Sequence, residues 1–321
     1  MRDMTNNLAF VFPGQGSQSV GMLADTAAQF GLVRETFSEA SAVLGYDLWK
    51  MVQEGPVEEL DKTVHTQPAL LAASYALWRI IRANSSIQPG LLAGHSLGEY
   101  TALVCANALD FKDGIRLVAA RGMFMQEAVA PGLGAMAAII GLDEAAVKNI
   151  CHQAVQSADE VLSPANFNSI GQIVIAGHKS AVERAITIAK EQGAKLAVSI
   201  PVSVPSHCKL MEPAAQRLAE LLAVTTFKTP EIPVINNVDV AIYRSADSIR
   251  DGLVRQLYLP VRWVESVQAL LKEGVTQIVE CGPGKVLTGL IKRIDKNLQL
   301  ATTSDLTGLT ALFKLESERS A

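Results

Sequence analysis

The strand-turn-helix signal at residues 91–106 is the feature that most limits the folds open to this chain. An apolar run at 91–93 predicts a short buried strand, and the spacing from Leu97 to Ala106 predicts a helix. Between them stands Gly94-His95-Ser96-Leu97-Gly98, whose two glycines let a strand and a helix pack closely around a serine. An α/β fold is therefore predicted, with Ser96 at the turn.

Two roles are open to Ser96. G-x-S-x-G at a strand-to-helix turn is the pattern of a nucleophilic serine whose hydroxyl stands above the sheet. The N-terminus of the following helix offers N–H groups and partial positive charge to an oxyanion. The alternative is a serine that caps a helix in a glycine-rich turn. The context on both sides of the turn favours the nucleophile.

The pattern changes at about Gly132 to short strands that alternate with two amphipathic helices. Apolar residues recur at helical spacing over 147–154 and again over 182–189. Strands are predicted around these helices at 135–140, 161–167, 172–176 and 196–200. The resulting order, βαββαβ, is that of the ferredoxin-like split βαβ motif.

Longer units on both sides of this segment predict a larger α/β domain, similar to that of the α/β-hydrolases, built on a parallel sheet. Its predicted strands are 8–12, 91–93, 234–236 and 277–280, and its helices include 67–82, 212–223, 261–272 and a final helix from about Lys285. The predicted division assigns 1–131 and 204–321 to the large catalytic domain and 132–203 to the small ferredoxin-like domain. A cleft between the two is a natural substrate site.

Composition excludes several classes of function. The 321 residues are 49% hydrophobic with a net charge of −4, and no Lys/Arg run exceeds two residues, so nucleic acid is not an expected partner. Four dispersed cysteines indicate neither a zinc site nor a disulfide framework, and no metal is expected. No segment has the length of a membrane span or the form of a signal peptide. A soluble cytoplasmic protein is expected.

A serine hydroxyl needs a base to take its proton, and the chain has five histidines. His95 is adjacent to the serine and is expected to point elsewhere, while His152 and His178 lie in the small predicted domain. His65 precedes a helix, where a capping or surface role is favoured. His207, on a loop where the chain re-enters the large domain, is the best candidate, with an ordinary structural role as an equal alternative.

Arg121 stands among apolar neighbours and is the only basic residue between Arg116 and Lys148. Burial of its charge would require a partner. Bidentate capture of a substrate carboxylate is one role for it. A salt bridge, or a side chain that extends to solvent, is the alternative that the residue pattern alone favours.

The turn Pro13-Gly14-Gln15-Gly16-Ser17-Gln18 follows the first predicted strand. It lacks the third glycine of a dinucleotide-binding loop, because Gly21 comes too late. The pattern instead favours a turn that exposes backbone N–H groups beside an active site.

An ordered set of motifs extends over nearly the whole chain. They are F-P-G-Q-G-S-Q (12–18), T-Q-P-A (66–69), G-H-S-L-G-E-Y (94–100), R-G-M-F-M-Q (121–126), N-F-N-S (166–169), P-S-H (205–207) and G-P-G-K (282–285). Together they closely resemble the malonyl-CoA:acyl carrier protein transacylases of bacterial fatty acid synthesis. The resemblance implies a ping-pong transfer of malonyl from malonyl-CoA, through a malonyl-serine, to the phosphopantetheine thiol of acyl carrier protein, which supplies fatty acid elongation.

The same resemblance implies how the catalytic parts are arranged. Ser96 is the nucleophile and His207 its base, and the backbone carbonyl of Gln256 orients the histidine in place of a carboxylate. The backbone N–H groups of Gln15 and Leu97 form the oxyanion hole.

The resemblance further implies that Arg121 holds the free malonyl carboxylate and that Asn166 lies near the acyl group, with neighbouring Asn168 as the alternative. Ser206 stands where many malonyl-selective synthase domains have phenylalanine, which leaves the exclusion of methylmalonyl open.

Partners and rival functions follow from these assignments. An acidic, phosphopantetheinylated acyl carrier protein and a coenzyme A thioester are expected partners of a monomer, with no bound cofactor and no membrane. One rival is a serine hydrolase such as a thioesterase, which would use Ser96 and His207 but gives no role to Arg121. The other is a carrier-protein-binding subunit with a vestigial site, which the complete set of site residues disfavours.

Overall fold

The computed structural model describes residues 7–202 and 204–320. Residues 1–6, 203 and 321, which the predicted domain ranges include, lie outside the described residues. Within the described part of the chain, no helix has the length and apolar character needed to cross a membrane.

The strands belong to two sheets. They are β1 Leu8–Phe12, β2 Leu91–Gly94, β3 Gly134–Ile140, β4 Leu162–Ser169, β5 Gln172–His178, β6 Leu196–Ile200, β7 Val234–Ile235, β8 Gln277–Glu280 and β9 Gln299–Thr302.

Helices fill most of the chain between the strands. They are α1 Ala24–Gln29, α2 Leu32–Leu44, α3 Leu48–Glu54, α4 Val57–Leu60, α5 Thr63–Asn84, α6 Leu97–Cys105, α7 Phe111–Glu127, α8 Glu144–Ala154, α9 Lys179–Glu191, α10 Glu212–Val224, α11 Ala246–Gln256, α12 Trp263–Lys272, α13 Val286–Ile294 and α14 Leu306–Ser320, with a 3₁₀ turn at Lys209–Met211.

The first sheet is parallel, with the strand order β7-β2-β1-β8-β9. Its central strand is completely buried from Ala9 to Phe12, as expected of a parallel strand covered by helices on both faces. The chain leaves β1 toward β2 on one side and later returns to β8 on the other. Such a reversal beside the first strand opens a crevice at the carboxyl ends of the strands, where α/β proteins bind ligands.

The second sheet is antiparallel, with the order β4-β5-β3-β6. Helices α8 and α9 pack against it, and their apolar stripes form a core with strand residues such as Ile139 and Ile175. This order and the two packed helices are those of the split βαβ motif. The predicted fold class, a parallel α/β unit with a small ferredoxin-like unit, is therefore confirmed.

No range was predicted for α1 to α4, α7, α11, β9 or α14, and the helix near Lys285 is not the final one. Helix α11 buries only Ile249, Gly252, Leu253 and Gln256. Its three large apolar residues, Ile249, Leu253 and Val254, stand among charged and polar residues over only eleven positions and give a short signal. Helix α5 begins at Thr63, four residues before the predicted start at Gln67. The prediction was late because the first turn is polar in sequence, although Thr63 and Thr66 are buried in the structure.

Candidate active site

Close backbone packing builds the turn at Ser96. A Cβ on Gly94 would lie 1.9 Å from the carbonyl carbon of Gly98, and a Cβ on Gly98 would lie 2.0 Å from the carbonyl oxygen of Phe12. Only glycine fits at either place. Ser96 itself has φ 52° and ψ −107°, a conformation that L-residues rarely adopt and that the contacts of this turn must hold. The strand, tight turn and helix predicted here are all present.

A chain of two hydrogen bonds leads from Ser96 to Gln256. His207 Nε2 lies 2.8 Å from Ser96 Oγ, and His207 Nδ1 lies 2.7 Å from the backbone oxygen of Gln256. Since a carbonyl oxygen only accepts, Nδ1 carries the hydrogen and Nε2 is free to accept the serine proton. Ser96, His207 and Gln256, which the sequence places far apart, are thus brought into one line.

Burial determines the charge of His207. The removal of its ring from water, with a smaller effect of the Arg121 guanidinium, lowers the pKa of His207 from 6.5 to about 3. The hydrogen bond to the Gln256 carbonyl acts in the opposite direction without overcoming burial. The imidazole is therefore neutral at physiological pH, which is the form that accepts a proton.

Arg121 lies on α7 with only 1% of its surface exposed. Its Nη2 donates to Ser96 Oγ at 3.1 Å and to Gln256 Oε1 at 3.0 Å, and its guanidinium carbon lies 5.5 Å from the centre of the Tyr100 ring. Its Nε is buried and has no hydrogen-bond partner among the described residues. The guanidinium therefore has neutral partners and spare donors.

A cavity of about 190 Å³ contains these groups. Gln15, Ser96 and Arg121 line it on the side of the parallel sheet, and Asn166 and Val174 line it on the side of the antiparallel sheet. A larger groove of about 580 Å³ lies elsewhere, beside Trp78 and Arg79, without Ser96 or His207 in its lining. Chemistry and not size identifies the site.

The two residues predicted to supply backbone donors both line this cavity. Gln15 is in the turn that follows β1, and Leu97 is the first residue of α6. The first N–H groups of a helix have no partner within the helix, so they are available to an oxyanion.

Both asparagines of the motif at 166–169 lie in β4, at the cavity. Asn166 is 7% exposed, and its neighbour Asn168 accepts a hydrogen bond from His95 Nε2 at 2.8 Å. His95, expected to point elsewhere, also lines the cavity and packs edge-on against Trp263. A side chain of the antiparallel sheet therefore contacts the turn that holds Ser96.

Sequence reasoning missed a buried polar cluster behind Ser96. Glu99 is completely buried and accepts hydrogen bonds from the Tyr243 hydroxyl, from Asn237 N at 2.9 Å and from Gln256 Nε2 at 2.9 Å. Asn237 Oδ1 in turn accepts from Ser96 N at 2.7 Å. The sequence did contain a signal for this cluster. Glu99 is a charged residue in a largely apolar helix, and a helix that is buried on every side requires hydrogen-bond partners for such a residue.

Fold and site together define a class of protein. A parallel α/β sheet that carries a neutral Ser–His pair at a strand-to-helix turn is the framework of serine enzymes that transfer acyl groups.

Comparison with known proteins narrows the class. The acyl transferase domain family matches residues 9–310. The malonyl CoA-acyl carrier protein transacylase of Escherichia coli K12 is 58% identical over 307 residues, 96% of this chain and 99% of that protein. That of Bacillus subtilis strain 168 is 45% identical over 300 residues, 94% of each.

Solved structures agree. The crystal structure of an acyl carrier protein S-malonyltransferase from Vibrio cholerae has a TM-score of 0.93 at 58% identity, covering 96% of this chain and all (100%) of that one. A structure of a type II PKS acyl-carrier protein in complex with its malonyl-transacylase matches with a TM-score of 0.95 at 56% identity, over 97% and 100% of the two chains. The chain belongs to the acyl transferase family, within the malonyl CoA-acyl carrier protein transacylases.

Proposed function

We propose that this enzyme transfers a malonyl group from malonyl-CoA to the phosphopantetheine thiol of acyl carrier protein, through an ester on Ser96. The observation that carries the proposal is the 3.1 Å contact between Arg121 Nη2 and Ser96 Oγ. A buried cation beside a nucleophile suits an acyl group that ends in a free carboxylate, and it has no purpose for an uncharged acyl group. The names of the relatives support the same substrates.

The first half-reaction forms the ester. Ser96 Oγ attacks the thioester carbonyl while His207 Nε2 takes the hydroxyl proton. The N–H groups of Gln15 and Leu97 bind the oxyanion that develops, each contributing roughly 3 to 4 kcal/mol in comparable sites. The carbon–sulfur bond then breaks, and the leaving thiolate of coenzyme A takes the proton from His207.

The second half-reaction reverses these steps with a different thiol. The carrier-protein thiol gives its proton to His207 and attacks the malonyl ester, and Ser96 Oγ leaves and recovers that proton. The Gln256 carbonyl keeps Nδ1 protonated throughout, which fixes the tautomer without placing a charge beside the ring. Arg121 holds the malonyl carboxylate, and Asn166 lies near the acyl group.

The division into 1–131 with 204–321 and 132–203 remains a prediction, and it places the reaction between the two domains. Every bond change above is assigned to a side chain or a thioester, so we assign no resident cofactor. A cytoplasmic monomer that receives both substrates from solution completes the proposal.

Mass analysis of the intact protein after incubation with malonyl-CoA tests the reaction. We expect a mass increase of one malonyl group, located on the peptide that contains Ser96. Addition of the phosphopantetheinylated carrier protein should remove the group from the enzyme and place it on the carrier thiol.

Ser96→Ala serves as the matched control, since it removes only the hydroxyl. Full transfer by Ser96→Ala would refute the mechanism. Loss of the label to water while carrier protein is present would instead identify a hydrolase.

A further inference from the structure

Glu99 connects three separate segments of the chain behind Ser96. Its Oε2 accepts hydrogen bonds from Asn237 N and Gln256 Nε2, both at 2.9 Å, and its Oε1 accepts one from the Tyr243 hydroxyl. The side chain is completely buried, one helical turn after Ser96. Burial of an ionised carboxylate without hydrogen-bond partners would cost a large amount of free energy. The three donors around Glu99 offset that cost.

Two of these partners hold Ser96 directly. Asn237 Oδ1 accepts from Ser96 N at 2.7 Å, and Asn237 Nδ2 donates to Gly94 O at 2.7 Å. Gln256 Nε2 donates to Ser96 O at 3.0 Å as well as to Glu99. The unusual backbone of Ser96 is therefore held on both sides by groups that Glu99 holds in turn.

The Gln256 amide also connects Glu99 to Arg121. Its Nε2 donates to the carboxylate, and its Oε1 accepts from Arg121 Nη2 at 3.0 Å. The amide dipole is thus aligned between an anion and a cation. Among the described residues, no carboxylate oxygen lies within 4.0 Å of an Arg121 nitrogen. The negative charge that hydrogen bonds connect to Arg121 is that of Glu99, through the Gln256 amide.

The carbonyl that orients His207 is neutral, and it cannot stabilise the imidazolium that forms during proton transfer as a carboxylate does. We propose that Glu99 is a positioning residue that supplies this missing negative charge through Gln256, while it holds Gln256 and Asn237 against Ser96. The inference rests on the proposed acylation of Ser96.

Burial raises the pKa of Glu99 to about 7, although the hydrogen bonds from Tyr243, Gln256 and Asn237 and the charge of Arg121 oppose the shift. His207, which the Arg121 charge also affects, titrates far lower, with a pKa of about 3. The other titratable groups around the cluster are Tyr100, beside Arg121, Arg255, near Tyr243, and His95, whose pKa burial lowers. Of Glu99 and the base His207, Glu99 is therefore the one that changes charge close to neutral pH.

Protonation of Glu99 removes the charge and keeps the geometry. A proton on Oε1 can be donated to the Tyr243 oxygen, while Oε2 continues to accept from Asn237 and Gln256. Glu99→Gln imitates this form, with its amide nitrogen toward Tyr243. The variant therefore separates the charge of Glu99 from its hydrogen bonds.

The test measures the second-order rate constant of Ser96 malonylation from about pH 5.5 to about pH 9. The probe is malonyl-pantetheine, which lacks the phosphates of coenzyme A and so does not titrate in this range. In the wild type we expect a loss of rate on the acid side with a midpoint near the pKa of about 7. In Glu99→Gln we expect a rate about tenfold lower at high pH and no acid-side loss near neutrality.

Tyr243→Phe provides a second variant should Glu99→Gln fold poorly. The Tyr243 hydroxyl lowers the pKa of Glu99, so its removal should shift the acid-side midpoint to higher pH. If the acid-side midpoint instead reported the titration of His207, Tyr243→Phe should leave that midpoint unchanged.

The matched control is Glu280→Gln, at a second buried carboxylate whose pKa burial also raises. Glu280 accepts from the N–H groups of Leu287 and Thr288 and has no hydrogen bond to Ser96, Gln256 or Arg121. Its variant should keep the midpoint of the wild type. An acid-side midpoint that is unchanged in both Glu99→Gln and Tyr243→Phe overturns the inference. Absence of any malonyl on wild-type Ser96 refutes the proposed function instead.

Discussion

Arg121 Nη2 lies 3.1 Å from Ser96 Oγ and, on the same nitrogen, 3.0 Å from Gln256 Oε1. The cation that we assign to the substrate carboxylate therefore also contacts the nucleophile. A positive charge at this position favours the deprotonated oxygen of Ser96. In its proposed role it would also hold the free end of the acyl group close to the carbonyl that is attacked, which is the geometry that rapid transfer needs.

Replacement of Arg121 by alanine is expected to reverse the choice of acyl group. A hydrogen bond to a charged group contributes about 1.5 to 3 kcal/mol, so malonyl transfer should fall at least about tenfold. Transfer of an uncharged acetyl group makes no such contact and should be affected less. The measurement is kcat/KM for malonyl-CoA and acetyl-CoA, with Arg121→Lys as a control that keeps the charge without the planar fork. An unchanged malonyl preference in Arg121→Ala would remove its assigned role.

The turn at Ser96 is expected to tolerate no side chain at Gly98. Its Cβ would lie 2.0 Å from the Phe12 carbonyl oxygen, so Gly98→Ala must displace β1 or α6, with a loss of about 2 kcal/mol or more in the free energy of unfolding. Ser96 malonylation should be lost with it. Gly289→Ala, in α13 with no atom within 4 Å of the new Cβ, should instead stabilise the protein by about 0.5 to 1 kcal/mol. Equal effects of the two substitutions would contradict this account of the turn.

The buried His207 is expected to make the protein sensitive to acid. Its pKa is 6.5 when unfolded and about 3 when folded, so the unfolded state binds more protons between these values. Its contribution to stability is therefore complete above pH 6.5 and is lost as the pH falls toward 3. Between pH 6.5 and about pH 4 the wild type should lose about 3 kcal/mol more than His207→Gln, measured by denaturant unfolding. Parallel pH curves for the two proteins would refute the buried neutral histidine.

The two asparagines of β4 are expected to differ in their effects. Asn168 accepts the His95 Nε2 hydrogen bond at 2.8 Å, so Asn168→Ala leaves that donor unpaired and should cost about 1 to 2 kcal/mol of stability. Asn166 lines the cavity, and Asn166→Ala should raise the KM for malonyl-CoA with a smaller effect on thermal unfolding. If Asn166→Ala destabilises the protein and Asn168→Ala leaves its stability unchanged, then Asn166 has the structural role and Asn168 the substrate role.

Local patterns predicted much of the fold. The strands at Leu8–Phe12, Leu196–Ile200 and Gln277–Glu280 lie where the apolar runs place them, because a short buried run between turn residues leaves few alternatives. The order of strands and helices between 134 and 200 predicted the split βαβ arrangement for the same reason. Helix α11 escaped detection, since it buries few apolar side chains and presents a glutamine, Gln256, to the site.

The sequence by itself determined which groups are available: a serine between two glycines, a histidine on a loop, an arginine among apolar residues, and the motif order that identifies the family. Only the tertiary structure decided what surrounds them. Hydrogen bonds join residues far apart in the sequence, such as Ser96 with Gln256 and Glu99 with Tyr243. A local sequence pattern covers only neighbouring residues, so it cannot predict these pairs. The shift of the pKa of His207 to about 3, and that of Glu99 to about 7, comes from burial, which exists only once the chain has closed around both groups.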